Sequence, residues 1–352
     1  MSAPDRPITV GVLYDFPQGD DGRSFEAALH GGLDATAGEL APAIGLEAVA
    51  VRGLPAGTDE EVAEGFARLV ASAASLVVGP SISDNALVVA RLADEAGLPC
   101  VNYSGGERTR SRWMFQYQVG SLEEEPLLLA DRMAERGLRR AVVVHDESVV
   151  GRRYRECFEH ACAGRGHEVL RTVVLDPLTQ SADEVLAALS PGEPDVVVYL
   201  GLGVSSRAVA LALASAPGMP VLANSALMFG YARTDWRDGY RGWEYVDTVS
   251  DDNRERAALR TGAARAAAGP IGCAAFDIGR LVGDALARAG AGSSRAAVRD
   301  ALEEVKGLRA TSGYDGTTMG FGTWDHGALK GPYLVLREWR DGRTHQVPRP
   351  GR

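Results

Sequence analysis

Short, continuous apolar runs alternate with helix-like stretches along most of the chain, and this alternation limits the fold more than any other feature. "ITVGVLY" (8–14), "LEAVAV" (46–51), "SLVVG" (75–79) and "PCVNY" (99–103) are predicted strands. Helices are predicted near 24–40, 59–74 and 84–96. A second series follows, with strands at 140–146, 167–175, 195–201 and 220–224 and helices at 123–136, 151–164, 181–189 and 205–216. Unbroken Val/Leu/Ile runs suit strands buried on both faces, as in parallel sheets covered by helices. After about residue 250 come two or three Ala-rich helices, then strand candidates "GFGTW" (320–324) and "YLVLREW" (333–339).

An internal echo predicts two similar units. "LVVGPSISDNALVVARLADEAGLPCVNYS" (76–104) and "VVYLGLGVSSRAVALALASAPGMPVLANS" (197–225) share one order. Each reads strand, Gly with a hydroxyl-rich turn, Ala/Val/Leu helix, Gly-x-Pro, strand, Asn, Ser. The expected fold class is therefore α/β, with two doubly wound parallel-sheet lobes. In open parallel sheets, ligands sit beyond the carboxyl ends of the strands. Two lobes facing each other that way would enclose a cleft.

The chain of 352 residues has 37 basic and 47 acidic side chains, a net charge of −10. That balance argues against nucleic acid or an anionic membrane as partner, since both reward clustered Lys and Arg. No apolar run approaches the roughly 20 residues of a membrane span. No basic-then-apolar leader precedes Ile8, so the expected compartment is the cytoplasm, or an extracytoplasmic space after leader removal. Cys100, Cys157, Cys162 and Cys273 form no CxxC pair and are read as reduced, partly buried thiols.

Motifs of chemistry are sparse. "GLGVSS" (201–206) lacks the third Gly of a dinucleotide loop, and no GxxxxGK[ST], HExxH or GxSxG occurs. No cofactor, metal or catalytic residue is expected. His145 and Asp146 are read as a strand-end polar pair capping the next helix. "EEE" (123–125) is read as a solvated first helical turn favoured by the helix dipole. The turn Ser81-Ile82-Ser83 stands at a sheet edge, where free N–H groups suit a ligand carboxylate or carbonyl, with Asp84 or Asn85 capping the helix. Ser104-Gly105-Gly106 is a second such loop.

With these residues in view, the chain resembles the type I periplasmic binding proteins, specifically the branched-chain amino acid (Leu/Ile/Val-binding) receptors of ABC transporters. "GPSISDNA" is similar to their Gly-x-x-Ser-Ser turn. "GLPCVNYSGG", "RRAVVVHDESVVG", "AAFDIGRLVGDALARAG" and "TMGFGTWDHGALKGPYLVLREWRDG" resemble four further segments in the family's order. The resemblance implies a small molecule bound between two lobes joined by a three-crossover hinge, with no chemistry performed. Crossovers would fall near Gly120-Ser121, Val249-Ser250 and Asp325–Gly327. One lobe would comprise 1–121 with 250–326, the other 122–249 with 327–352.

The implied ligand-binding residues are Phe16, Arg23, Ser81, Ile82, Ser83, Ser104, Gly105, Gly106, Val150, Gly203 and Ser225. Arg23 would be a rim charge or the partner of a ligand carboxylate. Four of the set depart from the family pattern. Gly105-Gly106 replace Ala-Thr, Val150 replaces an aromatic, and Ser225 replaces the Glu that holds an ammonium. The expected ligand is thus a small carboxylate, amide or aromatic rather than a free branched-chain amino acid. An ABC transporter permease is the expected partner of a monomer or homodimer. A cytosolic ligand sensor of the same fold is the alternative, and an enzyme using the cleft a more distant one.

Overall fold

A computed structural model describes residues 8–15, 23–189, 194–214, 216, 218–229, 234–261 and 268–348. The first series runs β1 (Ile8–Tyr14), α1 (Arg23–Thr36), β2 (Ile44–Ala50), α2 (Asp59–Ala71), β3 (Leu76–Val78), α3 (Ser83–Ala96), β4 (Cys100–Asn102) and β5 (Met114–Gln116). Its five strands are all parallel, in the order β2-β1-β3-β4-β5. The second series runs α4 (Glu125–Glu135), β6 (Arg140–Asp146), α5 (Val149–Arg165), β7 (Glu168–Leu175), α6 (Asp183–Ala188), β8 (Val196–Leu200), α7 (Ser206–Leu213), β9 (Val221–Ala223), α8 (Ala226–Phe229) and β10 (Glu244–Asp247).

The remainder supplies α9 (Arg254–Thr261), α10 (Pro270–Ala289), α11 (Arg295–Glu304) and the short strands β11 (Leu308–Arg309), β12 (Thr318–Met319) and β13 (Leu329–Lys330). These three strands form a small antiparallel sheet. Finally β14 (Val335–Arg340) and β15 (Arg343–Gln346) add antiparallel to β10. The second large sheet is thus β15-β14-β10-β9-β8-β6-β7, with the order 7-6-8-9-10 repeating the 2-1-3-4-5 of the first.

The continuous apolar runs behave as expected. In β6, Val142 and Val144 pack with α6 and α7, whereas Ala141 and Val143 pack with α4 and α5. Val197 and Val198 of β8 divide the same way. Successive side chains point to opposite faces, so a strand covered on both sides must be apolar at every position. In the first unit, Leu13, Val77 and Cys100 join Val62, Phe66 and Val89 in one core. Helices α1 and α10 meet at glycines: a Cβ on Gly32 would lie 2.0 Å from the Phe276 carbonyl oxygen, and one on Gly279 would lie 2.1 Å from that of Leu29.

The chain divides into Met1–Val119 with Thr248–Tyr333, and Gly120–Asp247 with Leu334–Arg352. It passes between the units three times. The third passage comes later in the sequence than the expected 325–327. Gly327 bridges Gln116, and Leu329 pairs with Met319, which keeps this stretch with the first unit. "GFGTW" is not a strand: Gly322 and Asp325 close a tight turn that leaves Trp324 98% exposed. Among the described residues no helix is long and apolar enough to cross a membrane. Cys100, Cys162 and Cys273 are buried free thiols, and Cys157 is partly exposed. Burial pushes the Cys162 thiol up to about 12.

Candidate functional site

In the first unit the strand order reverses at β1 and β3, and the chain leaving each meets the other there. Gly79 follows β3 with φ 109°, and a Cβ there would lie 2.3 Å from the Leu13 carbonyl oxygen, so only glycine fits. The next residues wrap around Asp15, the residue that follows β1. One Asp15 oxygen accepts from the Ser81 N–H and hydroxyl, both at 2.8 Å. The other accepts from the Ile82 N–H at 2.9 Å and the Asn85 amide at 2.8 Å. The Ser81 and Ile82 N–H groups, expected to face a ligand, are therefore held by a carboxylate of the protein. Asp15 is 1% exposed. Burial raises its pKa, and the four donors oppose that rise.

Helix α3 starts at Ser83 with no side-chain cap. The expected caps serve otherwise: Asn85 reaches Asp15 and both backbone polar groups of Leu54. The Ser83 hydroxyl oxygen accepts from the Gly106 N–H at 3.1 Å, which joins the two predicted loops. A Cβ on Gly106 would stand 3.1 Å from that oxygen, tighter than an ordinary contact. Ser104 is buried, donating its hydroxyl to Asn102 at 2.8 Å, and Thr109 ties the loop by donating to the Gly106 carbonyl at 2.7 Å. Gly105 lies between them, half-buried. Tyr103 stacks on Phe25 with centroids 4.9 Å apart. Arg23, the first residue of α1, is exposed. Phe16 lies outside the described residues.

The second unit repeats the device. Its order reverses at β6 and β8, and β6 ends in Asp146. Asp146 accepts from the Leu202 N–H and the Ser205 hydroxyl. It does not cap the following helix as expected; Ser148 does, accepting from Gly151 at 2.8 Å. The Gly203 N–H donates to the Tyr199 hydroxyl at 2.8 Å, and Ser206 donates to the Gly203 carbonyl. Val150, in the first turn of α5, is 5% exposed.

Ser225 is bound to a group that the sequence reading placed in solvent. Glu125 is fully buried, because its carboxylate accepts the Ser225 N–H at 2.7 Å and hydroxyl at 2.8 Å. The Ser121 N–H at 2.6 Å and the Tyr154 hydroxyl at 3.0 Å complete the set. The expectation of a solvated 123–125 turn fails at this residue. Burial pushes the Glu125 pKa up to about 7 against the pull of these donors. Beside it, Asn224 donates to the Gly201 carbonyl at 3.0 Å, while its own side-chain oxygen is buried without a hydrogen-bond partner.

Ser81, Ile82, Ser83, Ser104, Gly105 and Gly106 thus gather at one edge of the first sheet. Val150, Gly203 and Ser225 lie after strands or in a first helical turn of the second unit. Asp15, Glu125 and Tyr154 were missed. For the two Asp residues the available signal was the repeated ending of an apolar strand, "LYD" at 13–15 and "VHD" at 144–146.

Comparison with known proteins agrees with this architecture. An extracellular ligand-binding receptor from Rhodopseudomonas palustris HaA2 aligns with a TM-score of 0.79 and 16% identity, over 97% of this chain and 100% of that one. A solute-binding protein of an ABC transporter from R. palustris in complex with benzoate aligns at 0.78 and 16%, over 97% and 95%. A leucine-binding protein from Thermotoga maritima aligns at 0.77 and 16%, over 97% and 98%. No curated protein matches in sequence. The periplasmic binding protein family matches residues 7–343, and with its two doubly wound, thrice-connected units the chain belongs to that family of solute-binding proteins and has the type I fold.

Proposed function

We propose that the chain is a receptor that captures a small organic solute at carboxyl-edge turns of its parallel sheets and delivers it to an ABC transporter. The observation that carries this reading is the duplicated turn at the strand-order reversal of each sheet, 79–83 and 201–206. Such reversals are where open α/β sheets take ligands. Ser83, Gly105 and Gly106 are the ligand-facing residues of the first unit, with Ser81, Ile82 and Ser104 shaping its turns and Arg23 exposed beside them, and Val150, Gly203 and Ser225 are those of the second. Structural neighbours described with benzoate and with 4-hydroxybenzoate make small aromatic solutes the first to try. The partner is the membrane permease of such a transporter.

A thermal-shift screen across acids, amides, aromatics and amino acids tests the proposal. A solute at 100 times its dissociation constant adds about 2.7 kcal/mol of stability, a shift well within reach of the method. Saturable stabilisation by one solute class, with no turnover of it, is the expected result. Chemical conversion of the bound solute would overturn the receptor reading in favour of an enzyme.

A further inference from the structure

We propose that the side-chain oxygen of Asn224 is the hydrogen-bond acceptor that the second unit offers to the solute, so that the solute taken there carries an uncharged O–H or N–H donor. The inference rests on the receptor reading and narrows the solute class.

Asn224 is the first residue beyond β9, at the carboxyl edge of the second sheet, and is fully buried. Its amide has one orientation. The Gly201 carbonyl can only accept, so it must face the Asn224 NH2 group, which donates to it at 3.0 Å. That leaves the side-chain oxygen as the end without a hydrogen-bond partner. The hydroxyls of Ser225, next in the chain, and of Tyr154 both donate to Glu125 instead. Leaving a buried acceptor unpaired is costly, and most such groups in folded proteins are satisfied.

The first unit has an orphan at the matching place. Tyr103 is the first residue beyond β4, and its hydroxyl is also buried without a hydrogen-bond partner. Each orphan stands immediately before a serine whose own hydroxyl is used within the protein: Ser104 donates to Asn102, and Ser225 to Glu125. The hydrogen-bonding capacity expected of those two serines is thus open one residue earlier. A packing fault has no reason to recur at equivalent positions on the carboxyl edges, where such sheets take ligands. The Asn224 oxygen is neutral, so it suits a hydroxyl or a carboxamide and cannot offset the charge of an ammonium. A tyrosine hydroxyl both gives and accepts, so Tyr103 does not restrict the solute in the same way.

Calorimetry with 4-hydroxybenzoate against 4-methoxybenzoate, and with benzamide against N,N-dimethylbenzamide, tests this. Where the wider screen selects another solute, its O- or N-methylated derivative takes the same place. In each pair that binds, the donor-bearing member should be held at least tenfold more tightly. Methylation also adds bulk, so the same pairs are measured on Asn224→Ala, where the ratio should fall below about threefold. Equal affinities within a wild-type pair, or tight binding of a solute with no O–H or N–H donor, overturn the inference and leave the receptor reading standing. A ratio unchanged in Asn224→Ala would show that another group accepts the bond, which also overturns it. If the variant does not fold, a crystal structure of the wild type with the preferred solute decides. A solute donor about 2.7–3.2 Å from the Asn224 oxygen is expected, and a water on that oxygen with the solute elsewhere overturns the inference. Failure of every solute in the wider screen to bind would remove the receptor reading, and this inference with it.

Discussion

Glu125 is a carboxyl group whose proton is held more tightly in the folded protein than in the unfolded chain. Its pKa rises from 4.5 to about 7, since burial disfavours the anion more than its donors favour it. Its contribution to stability is complete below the unfolded value and is lost as pH rises through about 7, at roughly 1.4 kcal/mol per unit of pH inside that window. The melting temperature of wild type relative to Glu125→Gln should therefore fall as pH rises across this interval and level off above about 7. Asp277, raised to about 6 by burial, is present in both and cancels in the comparison. A difference between the two proteins that is flat in pH would refute the assignment. Leucine gives a second test at this scale. Ser225 is neutral, and burial raises the pKa of Glu125 beside it to about 7, so an ammonium there meets a carboxyl group that is only partly ionised near neutral pH. Calorimetry with millimolar leucine should show no micromolar Kd. Single residues were the least legible part of the sequence. Asp15 and Asp146 read as strand ends because their partners lie 66 and 56 positions away, at Ser81 and Leu202. Glu125 read as a surface acid because Ser225 stands 100 positions on.

At the scale of elements, the contact of α1 with α10 depends on absent side chains. Gly32→Ala would force a methyl into the Phe276 carbonyl, and neither backbone can move without unpacking the helix pair. A loss on the order of 2–4 kcal/mol is expected, as for other overpacked cores. Gly31→Ala is the control. Its added methyl would meet only the Phe276 ring at 3.9 Å, so the better helix propensity of Ala should leave stability unchanged or raise it by about 0.5–1 kcal/mol. Chemical denaturation of the two variants compares them directly, and equal midpoints would contradict the packing argument. Elements with long Val-rich runs, such as β6 and β8, were legible because burial on both faces leaves few alternatives. β5, β10 and β15 were missed. "EYVD" and "RTHQ" are short and polar, and they join a sheet through neighbours that the local pattern does not reveal. "GFGTW" was misread because its aromatics suggested a strand, whereas its glycines serve a turn.

For the whole molecule, the proposed function predicts a change in size. Two-unit solute receptors commonly close by hinge motion around a ligand, which lowers the radius of gyration. Small-angle scattering of the protein saturated with a confirmed solute should show that decrease; superimposable curves would count against it. The interleaved chain has another consequence, for biosynthesis. The first unit needs α10, but the ribosome makes α10 only after the whole of 120–247. At roughly 5–20 residues per second, that stretch takes on the order of ten seconds. Throughout that interval Leu29 and Leu33 on α1, buried in the finished protein, have no α10 to cover them. The nascent chain thus presents a sticky helix face to the cell while its second sheet is still being translated, and a chaperone that recognises such faces has its longest opportunity there.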